Sequence, residues 1–166
     1  MPNAFESLVG LRGVTDEPVS GLYLNSLPGI STRAVVSLNE SEFTAVEDAW
    51  SDIVKRASAF VMATITARVT PELGRLNTTV DGFINANIEV LQLAYLYKLG
   101  VEFCKERLYS DRINKFTLFN PELARQMIED FEAQYVALIG STLDTLLQQD
   151  TQNGGSVKYI RRSTLP

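Results

Sequence analysis

One stretch of the chain is apolar on almost every side of a helix: Val90–Leu99 reads VLQLAYLYKL. A helix with such a sequence is normally buried on several sides, because its apolar residues surround the whole circumference. The sequence therefore predicts a central helix over 86–109 with other helices packed around it. After Gly100 the same helix becomes charged, and we expect that end to reach solvent or a partner through Glu102, Lys105, Glu106 and Arg107.

A first amphipathic helix is predicted over 40–69. Asn39 with Glu42 resembles a capping box at its start, and Pro71 marks its end. Apolar residues recur there at spacings of three and four, which predicts one buried stripe: Phe43, Val46, Trp50, Ile53, Ala57, Phe60 and Thr64. The connector 70–85 leaves room for short helical turns.

A third long helix is predicted over 120–149. Asn120 can cap it, Pro121 suits the first helical position, and the Asn153-Gly154-Gly155 run should break the chain after it. Its predicted buried stripe consists of Leu123, Met127, Phe131, Tyr135, Leu138, Thr142 and Leu146.

Residues 1–38 form an irregular arm that is rich in glycine and proline, with a turn predicted at 27–30. The arm is too apolar for a free linker, so we expect it to pack against its own bundle or a neighbour's through Leu22, Tyr23, Leu24, Leu27 and Ile30. The fold class is thus mainly α. An elongated bundle of about three long helices (39–150) lies between the irregular arm and an extended C-terminal tail (151–166).

Composition removes several kinds of chemistry. The 166 residues include no histidine and one cysteine, Cys104. Ser-His-Asp and Cys-His nucleophile systems are therefore excluded, as are zinc sites built on histidine or on several cysteines. We expect Cys104 to be a small buried hydrophobe. We predict that the protein is not an enzyme and has no cofactor, no metal site and no catalytic residue, with carboxylate chemistry as the remaining enzymatic alternative.

Charge is unevenly placed along the chain. The net charge is −5, but residues 151–166 carry +3 and no acid, which leaves residues 1–150 with a net charge of −8. An acidic body disfavours sequence-independent binding of nucleic acid. The sequence shows no secretion signal and no stretch apolar enough for a membrane span, so we expect no membrane partner.

The segment Ser20–Ser31, SGLYLNSLPGIS, carries a resemblance. It resembles the "SGLYI-DLPGI" segment near the start of small virion proteins in tailed phages, particularly phages of Bacteroides and its relatives, including crAss-like ones. These are similar to head-to-tail connector, or adaptor ring, proteins, in which an irregular arm precedes a helical bundle and a C-terminal extension follows. This chain has the same order of parts.

The resemblance implies a structural virion protein, made in the host cytoplasm and located at the head–tail vertex. Its copies would form a homo-oligomeric, dodecameric ring that joins the portal protein to neighbouring tail or ring proteins, with DNA only passing through the channel. The tail would then order on the portal or on an adjacent subunit, and its candidate partner-binding residues are Val157, Lys158, Tyr159, Ile160, Arg161 and Arg162. The alternative is a helical regulatory or binding module that acts as a homodimer.

Overall fold

The structure is a computed structural model that describes residues 4–12, 18, 20–30, 46–109 and 121–155, with only the backbone described at 46–49, 109 and 149–155. The elements are β1 (Val9–Gly10), β2 (Leu22–Tyr23), a 3₁₀ turn (Leu24–Ser26), α1 (Val46–Val69), a 3₁₀ turn (Thr70–Glu72), α2 (Leu73–Leu76), α3 (Val80–Ala86), α4 (Ile88–Tyr109) and α5 (Pro121–Gly155). The mainly helical prediction is confirmed.

Helix α4 is the central element, as the apolar run predicts. Helices α1 and α5 both pack on it, and the core along it includes Leu91, Tyr95 and Leu99. At 1.5 Å per residue, the 35 residues of α5 span about 52 Å. The bundle is therefore elongated. None of the described helices is both long and apolar enough to cross a membrane.

Three short elements lie between α1 and α4, over the connector where the sequence leaves room for helical turns: the 3₁₀ turn at Thr70–Glu72, α2 and α3. Asn77 caps the C-terminal end of α2, and its φ of 55° is the left-handed conformation in which many helices terminate. Helix α3 begins after Thr79, whose hydroxyl oxygen accepts a hydrogen bond from the Gly82 N–H at 3.0 Å. Capping by threonine satisfies one of the free N–H groups of the first turn.

The end of α5 corrects a prediction. The helix does not stop near Gln149 but continues through the Asn153-Gly154-Gly155 run, so that residues 151–155 are helical rather than part of an extended tail. Glycine lowers helix stability by about 1 kcal/mol but leaves the backbone bonds possible. The predicted caps at Asn39 and Asn120 lie outside the described residues, as do 31–45 and 156–166.

The buried stripes of α1 and α5 agree with the predicted ones at Ile53, Ala57, Phe131 and Tyr135, and rotate away from them further along each helix. In α1, burial follows a spacing of four from Ile53 through Ala57, Val61 and Ile65 to Val69, while Phe60 is 49% exposed. In α5 the core takes up Ile139 and Leu143, while Leu123 is 49% exposed. A spacing of four drifts around the helix, because a turn has about 3.6 residues.

Candidate functional site

The segment that carries the resemblance is joined by hydrogen bonds to residues near the start of the arm. We call residues 4–12 and 20–30 together the clasp. The Ser20 hydroxyl donates to the Leu8 carbonyl and accepts from the Leu22 N–H at 3.1 Å. The Asn25 side chain accepts from the Arg12 N–H at 2.9 Å and donates to the Arg12 carbonyl at 3.0 Å. These bonds flank a parallel pair of strands in which Val9 faces Leu22. The polar residues of the motif therefore hold the arm in shape.

The predicted turn at the end of the clasp is present. The Ile30 N–H donates to the Leu27 carbonyl at 3.1 Å, and Gly29 between them has a φ of 84°. Proline followed by a residue with positive φ is the pattern of a type II turn, which favours glycine at the second position. The turn directs Leu27 and Ile30 into the core, where they are 5% and 2% exposed.

The clasp packs on its own bundle. A side-chain carbon placed on Gly100 of α4 would come within 2.8 Å of Leu27, and the Phe5 ring lies 5.1 Å from the Tyr95 ring. Gly29 lies against Met127 of α5. The arm is predicted to pack on its own bundle or on a neighbour's, and in the structure it packs on its own bundle.

The predicted partner-binding residues of the arm differ in exposure. Leu24, Leu27 and Ile30 are buried within the chain, while Leu22 and Tyr23 are half-buried at its surface. A role of these residues in contacting a partner stays a prediction. The predicted partner-binding residues of the tail lie outside the described residues: Val157, Lys158, Tyr159, Ile160, Arg161 and Arg162.

A buried charged cluster joins the three long helices. Lys98 of α4 is 3% exposed, and its Nζ lies 3.2 Å from Glu132 Oε2 of α5 and 3.9 Å from Glu102 Oε2. The same Nζ lies 3.8 Å from the centre of the Phe60 ring of α1 and 5.4 Å from that of Tyr135. Carboxylates and aromatic faces together compensate the lost hydration of the ammonium group.

The cluster overturns one expectation of the sequence. Glu102, Glu106 and Arg107 do not reach solvent but are 8%, 5% and 5% exposed, whereas the side chain of Lys105 does reach solvent and is 44% exposed. Two of these buried side chains are paired with Arg56 of α1, whose guanidinium donates to Glu102 at 3.2 Å and to Glu106 at 2.8 Å. The charged end of α4 thus packs against the middle of α1.

Sequence reasoning missed the cluster, although one signal pointed to it. A lysine within a helix that is apolar nearly all round must be buried, and a buried ammonium group must be paired. Lys98 stands in that run, with Glu102 four residues on, on the same side of the helix. Glu132 and Phe60 carry no such signal, since they come from other helices.

One apolar edge of α4 is left uncovered by the part of the chain that the structure describes. Val90 and Leu93, three residues apart and therefore on one side of the helix, are 52% and 45% exposed. Beside Val90, a groove of about 270 Å³ separates α4 from α5, and its lining consists of Val90, Ser141, Thr142, Thr145 and Leu146. The prediction that this helix is contacted on several sides is confirmed by the packing of α1, α5 and the arm on it, while Val90 and Leu93 are about half exposed.

Burial shifts the ionisation of several thiol and hydroxyl groups among the described residues. Burial raises the pKa of the Cys104 thiol to about 12, with nearby Arg107 opposing the rise, so the thiol stays protonated. Burial also raises the pKa of Tyr135, whose hydroxyl donates to Thr64 at 3.1 Å. Among the residues that the structure describes, no group of three or more acidic or cysteine side chains is placed to hold a metal ion.

Comparisons with protein-family models, with curated proteins and with solved structures found no match for this chain.

Proposed function

We propose that this chain is a structural subunit of a tailed-phage particle. Its copies form a closed ring at the head–tail vertex, where the ring joins the portal to the tail and extends the DNA channel. The observation that carries the proposal is the uncovered edge of α4, since Val90 and Leu93 are about half exposed on the most buried helix. Exposed apolar surface on an otherwise buried element is typical of an interface between subunits.

A ring needs two different surfaces on each subunit, because its interfaces are heterologous. The second surface is on the far side of α5, where Val136 is 59% exposed. Val136 precedes the groove residue Thr145 by nine positions, about two and a half helical turns, which places the two residues on opposite sides of α5. Two different apolar surfaces favour a closed ring of copies over a two-fold symmetric dimer, because a dimer of that kind uses the same surface on both subunits.

Charge supports the same assembly. The acidic body, with a net charge of −8 over residues 1–150, gives a channel wall that repels passing DNA. The tail, with its charge of +3, supplies cations that can pair with acidic surface on the portal or on an adjacent subunit.

The resemblance in the clasp indicates which kind of ring this is. Its polar residues Ser20 and Asn25 hold the arm together, and its turn places Leu27 on the bundle. The matched segment is therefore part of the folded subunit that the proposal assigns to the vertex.

The copy number tests the proposal. Native mass spectrometry of the purified chain, alone and with the portal protein encoded in the same genome, should give closed rings of one copy number. Leu93→Glu should reduce these to monomers, since a charge on the α4 edge would be buried at the interface. Ala63→Glu, at an exposed position of α1 away from both apolar surfaces, is the matched control and should leave the rings intact.

Three outcomes contradict the proposal. A dimer in every condition, indifferent to the portal, would favour the homodimeric binding module. A monomer in the presence of the portal would exclude ring formation, and equal ring formation by Leu93→Glu would remove the α4 edge from the interface. Truncation after Gln152 tests the tail separately, because the proposal expects it to abolish attachment to the portal.

A further inference from the structure

The clasp presents one cation in a fixed position. The guanidinium of Arg12 lies 4.3 Å from the centre of the Tyr23 ring, and the Asn25 side chain holds the Arg12 backbone at both its N–H and its carbonyl. Arg12 is exposed and forms no ion pair with any residue that the structure describes. A guanidinium stacked on an aromatic ring keeps the N–H groups of its edge free, and their planar arrangement fits a carboxylate.

The clasp and the uncovered edge of α4 lie on one side of the subunit. Leu27 of the clasp covers Gly100, and Leu93 precedes Gly100 by seven residues, or two helical turns, so both positions of α4 point to the same side, about 10 Å apart. Asn25, which holds Arg12, is two residues before Leu27, so the cation lies near the Gly100 end of this surface. At the other end Leu93 is 45% exposed. One surface of the subunit thus combines a fixed cation with an apolar position.

Helix α5 carries complementary features on the side away from the clasp. The clasp touches α5 at Met127, and Glu129 follows two residues later, about 200° around the helix. Val136 follows Glu129 by seven residues, so it lies on the same side of α5, about 10 Å further along. Glu129 is exposed and has no ion pair within the described part of the chain, while Arg125, one turn earlier, is paired with Glu122 at 3.6 Å. This second surface thus combines an unpaired carboxylate with an apolar position.

The two surfaces present these features in the same direction. Val90, near the start of α4, lies beside Leu146, near the end of α5, so the two helices are antiparallel. The step from the clasp to Leu93 therefore runs the same way along the bundle as the step from Glu129 to Val136. In a ring whose axis runs along the bundle, rotation keeps this direction in every copy. One surface can thus meet the other with opposite charges together and apolar positions together.

We infer that Arg12 of each copy pairs with Glu129 of the next copy, while Leu93 packs on Val136. The inference rests on the proposed ring and names the contact that sets the register of its copies. Electrostatic complementarity contributes mainly to register and to the rate of association. A carboxylate of the same acidic protein is favoured over DNA, because one cation on an acidic body does not hold a phosphate backbone.

Reversal and exchange of the two charges test the pairing in the full chain. Mass photometry, with and without the portal protein, gives the protein concentration at which half of the copies are in rings. Arg12→Glu and Glu129→Arg should each raise this concentration about tenfold, because like charges then face each other. The double variant should return to within about threefold of the original chain, since the two substitutions couple. Lys55→Glu, at an exposed position of α1 with no ion pair among the described residues, is the matched control and should change nothing.

Rescue by the double variant separates pairing from damage to the clasp, because a substitution on α5 cannot restore a clasp that Arg12→Glu has unfolded. Rings that form equally well in all variants, or a double variant no better than either single one, overturn the pairing and leave the ring standing. A monomer of the original chain in the presence of the portal contradicts the proposed ring, and the pairing with it. The behaviour of the original chain therefore shows which of the two has failed.

Discussion

Two glycines in the interiors of long helices provide a direct test of how the arm packs. Gly100 lies in α4 and Gly140 in α5, and alanine at an open helical position is more favourable than glycine by about 1 kcal/mol. A side-chain carbon on Gly140 would meet nothing within 4 Å. Gly140→Ala should therefore raise the free energy of unfolding by roughly 1 kcal/mol.

Gly100→Ala should behave in the opposite way. Its new carbon would lie 2.8 Å from Leu27 and 2.9 Å from the Phe131 ring, closer than carbon atoms approach without displacement. The leucine tip can shift, but the ring is held on α5. Overpacking of this kind costs about 1–3 kcal/mol, which cancels or exceeds the gain in helix propensity. The two variants should thus differ by about 1–3 kcal/mol, with Gly100→Ala the less stable.

Thermal unfolding followed by circular dichroism measures the difference. In a chain of this size, 1 kcal/mol corresponds to a shift in Tm of roughly 2–4 °C. If Gly100→Ala raises Tm as much as Gly140→Ala does, neither Leu27 nor Phe131 lies against Gly100, and the packing of the arm described above is wrong. Leu27→Ala combined with Gly100→Ala adds a check, since the two substitutions should couple favourably if the side chains meet.

Three further predictions concern buried polar groups. Lys98→Met should lower the free energy of unfolding by about 1–2 kcal/mol, because it removes the bond to Glu132, which is 37% exposed, while Glu102 keeps its bond to Arg56; chemical denaturation measures the loss. Tyr95→Phe should keep or raise Tm by calorimetry, since the Tyr95 hydroxyl is buried without a hydrogen-bond partner among the described residues. Cys104 should resist thiol reagents at pH 8 until the protein unfolds; its stabilising contribution is complete below its ordinary pKa of 9.0 and is lost as the pH rises from there to about 12. Reaction of Cys104 in the native protein as fast as in denaturant would contradict its burial.

The parts of the fold that depend on short-range pattern could be predicted from the sequence. The apolar run of α4 indicated the central helix, and Pro28-Gly29 indicated the turn, because both effects act within a few residues. The rotation of the α1 stripe could not be predicted. Phe60 matches the helical spacing as well as Val61 does, and only the position of Lys98 on another helix gives Phe60 a reason to lie at the edge.

In the candidate site, too, short-range pattern indicates some features and not others. The apolar character of the arm was visible in Leu24, Leu27 and Ile30, but its docking position was not, since Gly100 has no side chain to mark it. The pairing of Arg56 with Glu102 and Glu106 joins residues about fifty positions apart. Such pairs depend on how helices are placed in space, which no local pattern specifies.

The packing of the clasp sets an order of events during synthesis. Its internal hydrogen bonds join residues 12 or 13 positions apart, so the clasp can close soon after it is made. Its docking surface at Gly100 and Phe131 is about 70–100 residues further along the chain, which a ribosome takes roughly 4–20 s to reach. Throughout that interval Leu24, Leu27 and Ile30 lack the surface that buries them. The arm is therefore made well before the surface on which it packs.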